Sequence, residues 1–313
     1  MPSTEADGPT AGEPGRAGAD RQPVERPVTV AGTWGALDLA YARYLDEHPT
    51  PPGGSLLAQT ILTGPARRSL LPMLTVPPDA GILDLGTGFG PVALEVAHVQ
   101  AVRVVGLDSD EAVLEATRQI ASSLGSWLHD GSSVDFRLGD ATDLEVEAGT
   151  FDLVAARLLF QHLPDPRAVV SECWRVLRPG GRVVVFDVDD GFGVSFPPPS
   201  PELACLESAF DSSQAQRGGD REVGRKLTTY LADAGFAIRR VQLLAQAQHV
   251  APAQGDASRL VNLARLRAAR AEIVGAGLLA ADVFDRSLAA YEREPAVPRF
   301  RAESQIAVVA ERV

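Results

Sequence analysis

The residues best suited to bind a ligand are three glycines at alternate positions, Gly86, Gly88 and Gly90, with an aspartate on either side, at Asp84 and Asp108. Glycine has no Cβ atom, so a glycine-rich segment can turn sharply and let a ligand approach its backbone. Asp84 lies in a short apolar run that predicts a buried strand, and the residues after Gly90 predict a helix. Strand, glycine turn and helix together predict a nucleotide-binding corner at the carboxyl end of a central strand.

Strands and helices alternate along the chain and would position this corner. Apolar runs predict strands over residues 82–85, 103–108, 134–138, 151–155, 182–188, 237–244 and 304–311. Helical spacing of apolar residues predicts helices over residues 111–124, 166–177, 202–217, 223–234, 256–274 and 281–292. This alternation predicts the α/β class, with right-handed crossovers and a doubly wound, mostly parallel sheet.

The composition divides the chain into three parts. Residues 1–30 are rich in Gly, Ala, Pro and charge, which predicts a disordered N-terminal tail. Residues 31–76 show helical spacing and predict a helical cap, and residues 77–313 form the ligand-binding domain. Within that domain, insertions at about residues 191–219 and 252–298 are expected to set specificity.

Charge and cysteine content limit the partners and the compartment. The net charge of −12 disfavours a nucleic-acid partner, because phosphate binding needs a concentrated basic surface. The two cysteines, Cys173 and Cys205, do not suggest a disulfide framework. No signal peptide is apparent, and no apolar run approaches the roughly 20 residues of a membrane helix. These features predict a cytoplasmic protein with no membrane contact.

Four motifs in order resemble those of the class I S-adenosylmethionine (SAM)-dependent methyltransferases that act on small molecules. They are DLGTGFG at residues 84–90, the acid Asp108, GDA at residues 139–141, and FDLVAARLLFQHLPDP at residues 151–166 followed by RVLRPGG. The resemblance implies a seven-stranded sheet with a reversed last strand. It also implies methyl transfer to a small molecule, with a specialised biosynthetic pathway as the expected setting and S-adenosylhomocysteine as the second product.

The resemblance also implies roles for individual residues. The three glycines would let the backbone approach the cofactor, Asp84 would orient the loop or meet the cofactor amino group, and Asp108 would accept the ribose hydroxyls. The remaining implied cofactor contacts are Ser109, Gly139, Asp140, Ala141, Arg157, Leu158, and, from the N-terminal helices, Tyr41 or Tyr44.

Several alternatives stay open from the residues. A glycine corner followed by an acid also binds NAD, so an NAD-dependent oxidoreductase is one alternative, and a SAM-binding regulator without catalysis is another. His162 is the candidate for proton transfer. Candidate substrate contacts are Gln161, His162, Phe192, Phe196 and His249.

The acids Asp187, Asp189 and Asp190 could bind Mg²⁺, but a solvated loop is the favoured interpretation, and no metal site is predicted. Four arginines in the second insertion, Arg259, Arg265, Arg267 and Arg270, favour a solvated helix face over an anion site. A homodimer formed through the N-terminal helices is left open.

Overall fold

The computed structural model describes residues 35–250, 257–295 and 297–313. The predicted tail over residues 1–30 lies outside these ranges. The α-helices within them are α1 (Gly35–Glu47), α2 (Gly54–Leu62), α3 (Gly64–Arg68), α4 (Pro91–Val99), α5 (Glu111–Ser123), α6 (Pro166–Val176), α7 (Pro201–Gln216), α8 (Leu227–Asp233), α9 (Ala257–Gly275) and α10 (Ala281–Arg293). The strands are β1 (Gly81–Leu85), β2 (Arg103–Asp108), β3 (Ser133–Leu138), β4 (Phe151–Arg157), β5 (Leu177–Val188), β6 (Val194–Phe196), β7 (Ala237–Val250) and β8 (Arg299–Glu311).

These strands form one sheet in the order β3-β2-β1-β4-β5-β8, with β6 and β7 both paired to β8. Strands β1 to β5 are mutually parallel, whereas β8 runs antiparallel to β5, with Val185 opposite Val308. Leu85 at the end of β1 pairs with Leu107 and with Ala156, so three carboxyl ends meet at one edge. The predicted doubly wound α/β sheet with a reversed last strand is therefore confirmed. Ligands bind at this edge in open α/β sheets.

Apolar side chains bury both faces of the sheet. One core contains Leu37, Leu94 and Ile120, from α1, α4 and α5. The core on the opposite face contains Val170 of α6 and Leu231 of α8. A third core lies among α7, α9 and α10 and includes Leu206, Leu266 and Phe284, each fully buried. Burying one such side chain contributes about 1.5–3 kcal/mol to the stability of the fold. Each layer of helices is therefore stabilised by its own row of buried apolar side chains.

Two helices that follow the ligand edge of the sheet begin at aspartate caps. The Asp110 carboxylate accepts hydrogen bonds from the backbone amides of Ala112 and Val113 at 3.0 and 3.1 Å, which begins α5. Asp165 caps α6 in the same way. Such caps satisfy backbone donors that a helix leaves unpaired, typically for about 1 kcal/mol. They therefore fix where the loops after β2 and β4 end.

The strand count and lengths differ from the prediction at one end of the sheet. Residues 194–196 form β6, an eighth strand, within the insertion predicted at about residues 191–219. β7 continues to Val250 and β8 begins at Arg299, so both extend past the predicted strands. Pairing in this extension rests on backbone bonds, as where Phe196 lies opposite Phe300, while both side chains remain exposed. A strand of exposed residues has no buried apolar run in its sequence from which it could be predicted.

Candidate active site

The predicted glycine turn forms between β1 and α4. Gly86, Gly88 and Gly90 all have positive φ, at 65°, 53° and 71°. A Cβ atom on Gly90 would lie 2.7 Å from the Phe136 ring, and one on Gly86 would lie 2.9 Å from Leu159 Cδ1. No other residue type fits these two positions without strain, because left-handed backbone and a close contact coincide there. The loop consequently exposes backbone rather than side chains to the edge of the sheet.

Asp108 is hydrogen-bonded to this loop. Its Oδ2 atom accepts from the backbone amide of Gly88 at 2.8 Å, and its Oδ1 atom accepts from the amide of Asp110 at 3.1 Å. Asp108 is half-buried, and the neighbouring Ser109 is exposed. A carboxylate offers about four lone-pair positions, so two backbone bonds leave room for further donors such as ribose hydroxyls. The role of Ser109 stays a prediction.

The buried Asp84 carboxylate is hydrogen-bonded to the glycine loop and to the start of α4. Its Oδ2 atom accepts from Thr87 Oγ1 at 2.7 Å and from the amide of Ala93 at 3.2 Å. Burial raises the pKa of this carboxyl to about 7, while the two hydrogen bonds oppose that rise. Of the two roles implied for Asp84, these contacts describe loop orientation. Thr87 was not singled out in the sequence, although a hydroxyl between two glycines was a signal for it.

The GDA segment lies beside Asp108 at the end of β3. The Gly139 amide donates to the Asp108 carbonyl at 3.0 Å, and a Cβ atom on Gly139 would meet Leu107 at 2.8 Å. Asp140 is exposed, and its Oδ1 atom accepts from the amide and hydroxyl of Thr142 at 2.8 and 2.7 Å. These bonds lower the pKa of Asp140 and hold it ionised. Gly139, Asp140 and Ala141 thus lie at the edge of the sheet where the carboxyl ends of the parallel strands meet, and their contacts with the cofactor stay predictions.

Arg157 ends β4 on the same face of the sheet as Asp84. Asp84 pairs with Ala155, and side chains two residues apart on a strand share a face. Burial, and then the positive charge of Arg67, lower the pKa of the Arg157 guanidinium to about 9. The next residue, Leu158, has a φ of 56°, which is unusual for a side chain of this type. Both residues therefore lie at the sheet edge next to the glycine loop.

The two tyrosines predicted to cover the cofactor lie in the core. Tyr41 is fully buried, and its hydroxyl donates to the Phe89 carbonyl at 3.0 Å. Tyr44 is 9% exposed and stacks on His48. The N-terminal side chain that lies next to Gly88 is instead that of Leu56 of α2, whose Cδ2 would lie 3.3 Å from a Cβ on Gly88. The side chain next to Gly88 is thus aliphatic. Tyr41 instead supports the loop from the core, through its hydrogen bond to the Phe89 carbonyl.

Gln161 is held by protein contacts on every side. Gln161 is 3% exposed, its side-chain Nε2 atom donates to the Leu158 carbonyl at 3.3 Å, and its side-chain Oε1 atom accepts from Arg221. Gln214 donates to its backbone carbonyl at 2.8 Å. A substrate contact through the Gln161 side chain would therefore have to replace an existing bond. Its present role is to join the loop after β4 to the segment before α8.

His162 lies beside the same group of residues and reaches solvent. Its Nδ1 atom is 3.5 Å from the Gln214 amide nitrogen. Crowding by protein atoms, and then the positive charges of Arg221 and Arg217, lower the pKa of the imidazole to about 4. The ring is therefore neutral near pH 7. A base with so low a pKa accepts protons weakly, which favours substrate contact over proton transfer.

The acidic cluster after β5 is occupied by arginines and backbone amides. Burial raises the pKa of Asp187 to about 7, although backbone donors oppose the rise. Asp189 accepts from Arg225 Nε at 2.8 Å, and Asp190 accepts from Arg221 Nε at 2.8 Å. Among the described residues no group of three or more His, Cys, Asp or Glu side chains is arranged to hold a metal ion.

The remaining predicted substrate residues lie on the extension of the sheet. Phe192 and Phe196 are 49% and 73% exposed, and Arg225 stacks over the Phe192 ring at 5.5 Å. His249 lies within β7, opposite Phe300, and is also exposed. These residues share the sheet extension, whereas Gln161 and His162 lie at the end of β4. Their contact with a substrate stays a prediction.

The four arginines of the second insertion do not share one environment, since Arg259 donates to the backbone carbonyls of Glu294 and Tyr291. Arg267 pairs with Glu292 and Arg270 with Asp285 at the surface, as expected for a solvated helix face. Arg265 instead stacks on the Phe210 ring at 4.3 Å and donates to Asn262 at 2.7 Å. Sequence spacing alone gave no signal that separated Arg265 from the others.

Comparisons with known proteins concern the central part of the chain and its fold. Residues 83–185 match the family described as methyltransferase domain. The "Uncharacterized 37.1 kDa protein in transposon TN4556" of Streptomyces fradiae is 32% identical over 201 residues, covering 62% of this chain and 55% of that protein. Nocamycin O-methyltransferase of Saccharothrix syringae is 34% identical over 141 residues, covering 44% and 45%. The chain therefore spans about half the length of these curated relatives.

A solved structure from Bacillus halodurans C-125, provisionally described as a methyltransferase, shares the fold with a TM-score of 0.53 at 19% identity. The alignment covers 79% of this chain and 98% of that one. Residues 83–185 thus match a methyltransferase domain, and the described chain shares the fold of that structure, as the resemblance found in the sequence implied. No helix in the described ranges is long and apolar enough to cross a membrane.

Proposed function

We propose that this protein is a SAM-dependent methyltransferase that acts on a small molecule in specialised metabolism. The observation that carries the proposal is the bond between the glycine loop and Asp108, with Gly139 and Asp140 beside it at one edge of the sheet. The methyltransferase domain over residues 83–185 supports the activity, and the nocamycin relative supports a small-molecule acceptor.

The residues at this edge fit SAM. Gly86 and Gly88 have left-handed backbone at φ 65° and 53°, and neither carries a side chain that would keep a ligand from this backbone. Asp108 keeps acceptor capacity for ribose hydroxyls. Arg157 carries buried Nε and Nη2 atoms that have no hydrogen-bond partner in the described part of the chain. Together these residues would hold the backbone, ribose and charged end of a nucleoside of this kind.

When bound, SAM supplies an activated methyl group on a positive sulfur, which an acceptor atom can displace in line. The protein's part is to hold the acceptor, exclude water and keep the geometry fixed, and such positioning can contribute several kcal/mol, roughly 7–11 in favourable cases. Asp84 and Thr87 keep the loop rigid, since both hydrogen bonds are inside the protein. Leu56 of α2 lies next to Gly88 and is 40% exposed, so its side chain is available to a bound cofactor.

The acceptor side is formed by the loop after β4 and by α7. His162 is neutral near pH 7, so it can accept or donate a hydrogen bond to an acceptor without carrying charge. Gln214 and Arg221 hold the neighbouring Gln161 in place. These contacts support a role for His162 in orienting the acceptor.

Calorimetric titration tests the proposal directly. The full chain is titrated with SAM, S-adenosylhomocysteine and NAD in parallel, and micromolar binding of the first two without NAD is expected. Acceptors are then screened by the mass gain of one methyl group. Binding of NAD alone would refute the proposal. Elution volume with light scattering would test the homodimer, which stays a prediction together with cytoplasmic localisation.

A further inference from the structure

The Arg157 side chain is half-buried, and two of its nitrogen atoms have no contact with solvent. Its Nε and Nη2 atoms have no hydrogen-bond partner in the described ranges. A buried donor left unsatisfied costs about 1–3 kcal/mol, and more when it is charged. A folded protein retains such a group where a ligand completes its bonds, so these atoms need an explanation.

The position of Arg157 narrows the choice of ligand. It follows Ala156, which pairs with Leu85, so Arg157 stands level with Gly86 at the start of the glycine loop. Its side chain lies on the face that carries Asp84, beneath α2 and α3. On that side Arg67 is bound bidentately to Glu95, with bonds of 2.9 and 2.8 Å, so Glu95 already has a partner. A ligand at the loop therefore meets a guanidinium with open donors.

We infer that the Arg157 guanidinium binds the carboxylate of the cofactor's methionine end. The inference rests on the proposed function, because it takes SAM as the ligand of the glycine loop. SAM carries two positive groups, the sulfonium and the ammonium, and a single negative group, the carboxylate. A guanidinium repels the first two and offers parallel N–H donors to the third. The cofactor contact implied for Arg157 is thus assigned to its side chain.

The test compares SAM with decarboxylated SAM, which lacks only the carboxylate. Affinities are measured by calorimetry for the wild-type chain and for Arg157→Gln, which removes the charge at similar size. We expect Arg157→Gln to weaken SAM binding about ten- to hundredfold, the range for hydrogen bonds to charged groups, and decarboxylated SAM by less than about twofold. Arg103→Gln is the matched control, because Arg103 lies exposed at the opposite edge of the same sheet.

Each other outcome overturns the inference. Equal losses for both ligands would make Arg157 a structural support of the loop. Unchanged SAM affinity with reduced turnover would place the bound anion on the acceptor and leave the proposed function intact. Absence of SAM binding to the wild type would instead refute the proposed function itself. If Arg157→Gln does not fold, Arg157→Lys and the wild-type preference for SAM over decarboxylated SAM, expected to be about tenfold or more, distinguish the same outcomes.

Discussion

Replacing Asp108 by alanine tests the ribose assignment, and the structure sets the size of the effect. The carboxylate receives backbone donors from Gly88 at 2.8 Å and from Asp110 at 3.1 Å. Its remaining lone pairs point into the site that we assign to ribose. Asp108→Ala therefore removes two internal bonds and the acceptor for two hydroxyls in one step.

The two losses have different magnitudes. Hydrogen bonds to a charged group contribute about 1.5–3 kcal/mol each, so losing two ribose bonds weakens cofactor binding by about 3–6 kcal/mol. That is roughly a 10²- to 10⁴-fold rise in Kd. The internal bonds are partly exposed to water, and their loss should lower the free energy of unfolding by only about 1–3 kcal/mol. We therefore expect a folded protein with little affinity for SAM.

The assay is calorimetric titration with S-adenosylhomocysteine, with circular dichroism to verify folding. Asp135→Ala is the matched control, because Asp135 is an exposed aspartate on the adjacent strand β3 that pairs with Arg137. This control loses the same charge and should bind within about twofold of the wild type. Affinity of Asp108→Ala equal to that of Asp135→Ala would refute the reasoning.

Three further predictions concern stability and pH. Gly90→Ala should lower the free energy of unfolding by about 2–4 kcal/mol, because this position combines positive φ with a steric clash. Gly125 also has positive φ but lies in open space, so Gly125→Ala should lower it by only about 1–2 kcal/mol. Equal shifts of the melting temperature for the two variants would contradict this prediction. Glu95→Gln should destabilise by about 3–5 kcal/mol in urea, because it leaves the buried Arg67 without its anion; the surface change Glu111→Gln should cost less than about 0.5 kcal/mol. Because the pKa of His162 is lowered to about 4 in the folded chain from 6.5, the unfolded chain binds the extra proton first, and the wild type should lose stability on acidification through that interval. His162→Gln should lose less, and identical pH profiles of urea unfolding would show that the shift is absent.

Sequence patterns predicted the parts of this protein that depend on burial. Buried strands such as β1 and β4 are nearly continuous apolar runs, and the glycine loop needs residues without Cβ atoms. Both constraints act on residue type directly. The mostly parallel, doubly wound arrangement also followed, since strands that alternate with helices are joined by right-handed crossovers.

The parts that sequence did not predict depend on long-range pairing. The extension of β7 and β8 is held by backbone bonds between exposed residues. Its sequence therefore lacks the regular spacing of apolar residues that predicts a strand. Tyr41 and Leu56 show the same limit at the site. Both follow helical spacing, and only the docking of α2 against the loop decides that Leu56 approaches Gly88 while Tyr41 is buried. The arginine partners of Asp189 and Asp190 come from more than 30 residues away in the chain.

The charges at the ligand edge divide into two groups, and this division orients the ligand. Beyond β5, Arg225 and Arg221 neutralise Asp189 and Asp190, so these carboxylates do not compete for a positive sulfonium. At β2, Asp108 keeps acceptor capacity for neutral hydroxyls, and at β4 Arg157 offers donors to an anion. A molecule with ribose at one end and an amino acid at the other satisfies both groups in one direction only. We therefore propose that the acceptor approaches from the side of His162, where the Asp165 carboxylate on the loop after β4 is bound to the backbone amides of Arg167 and Ala168.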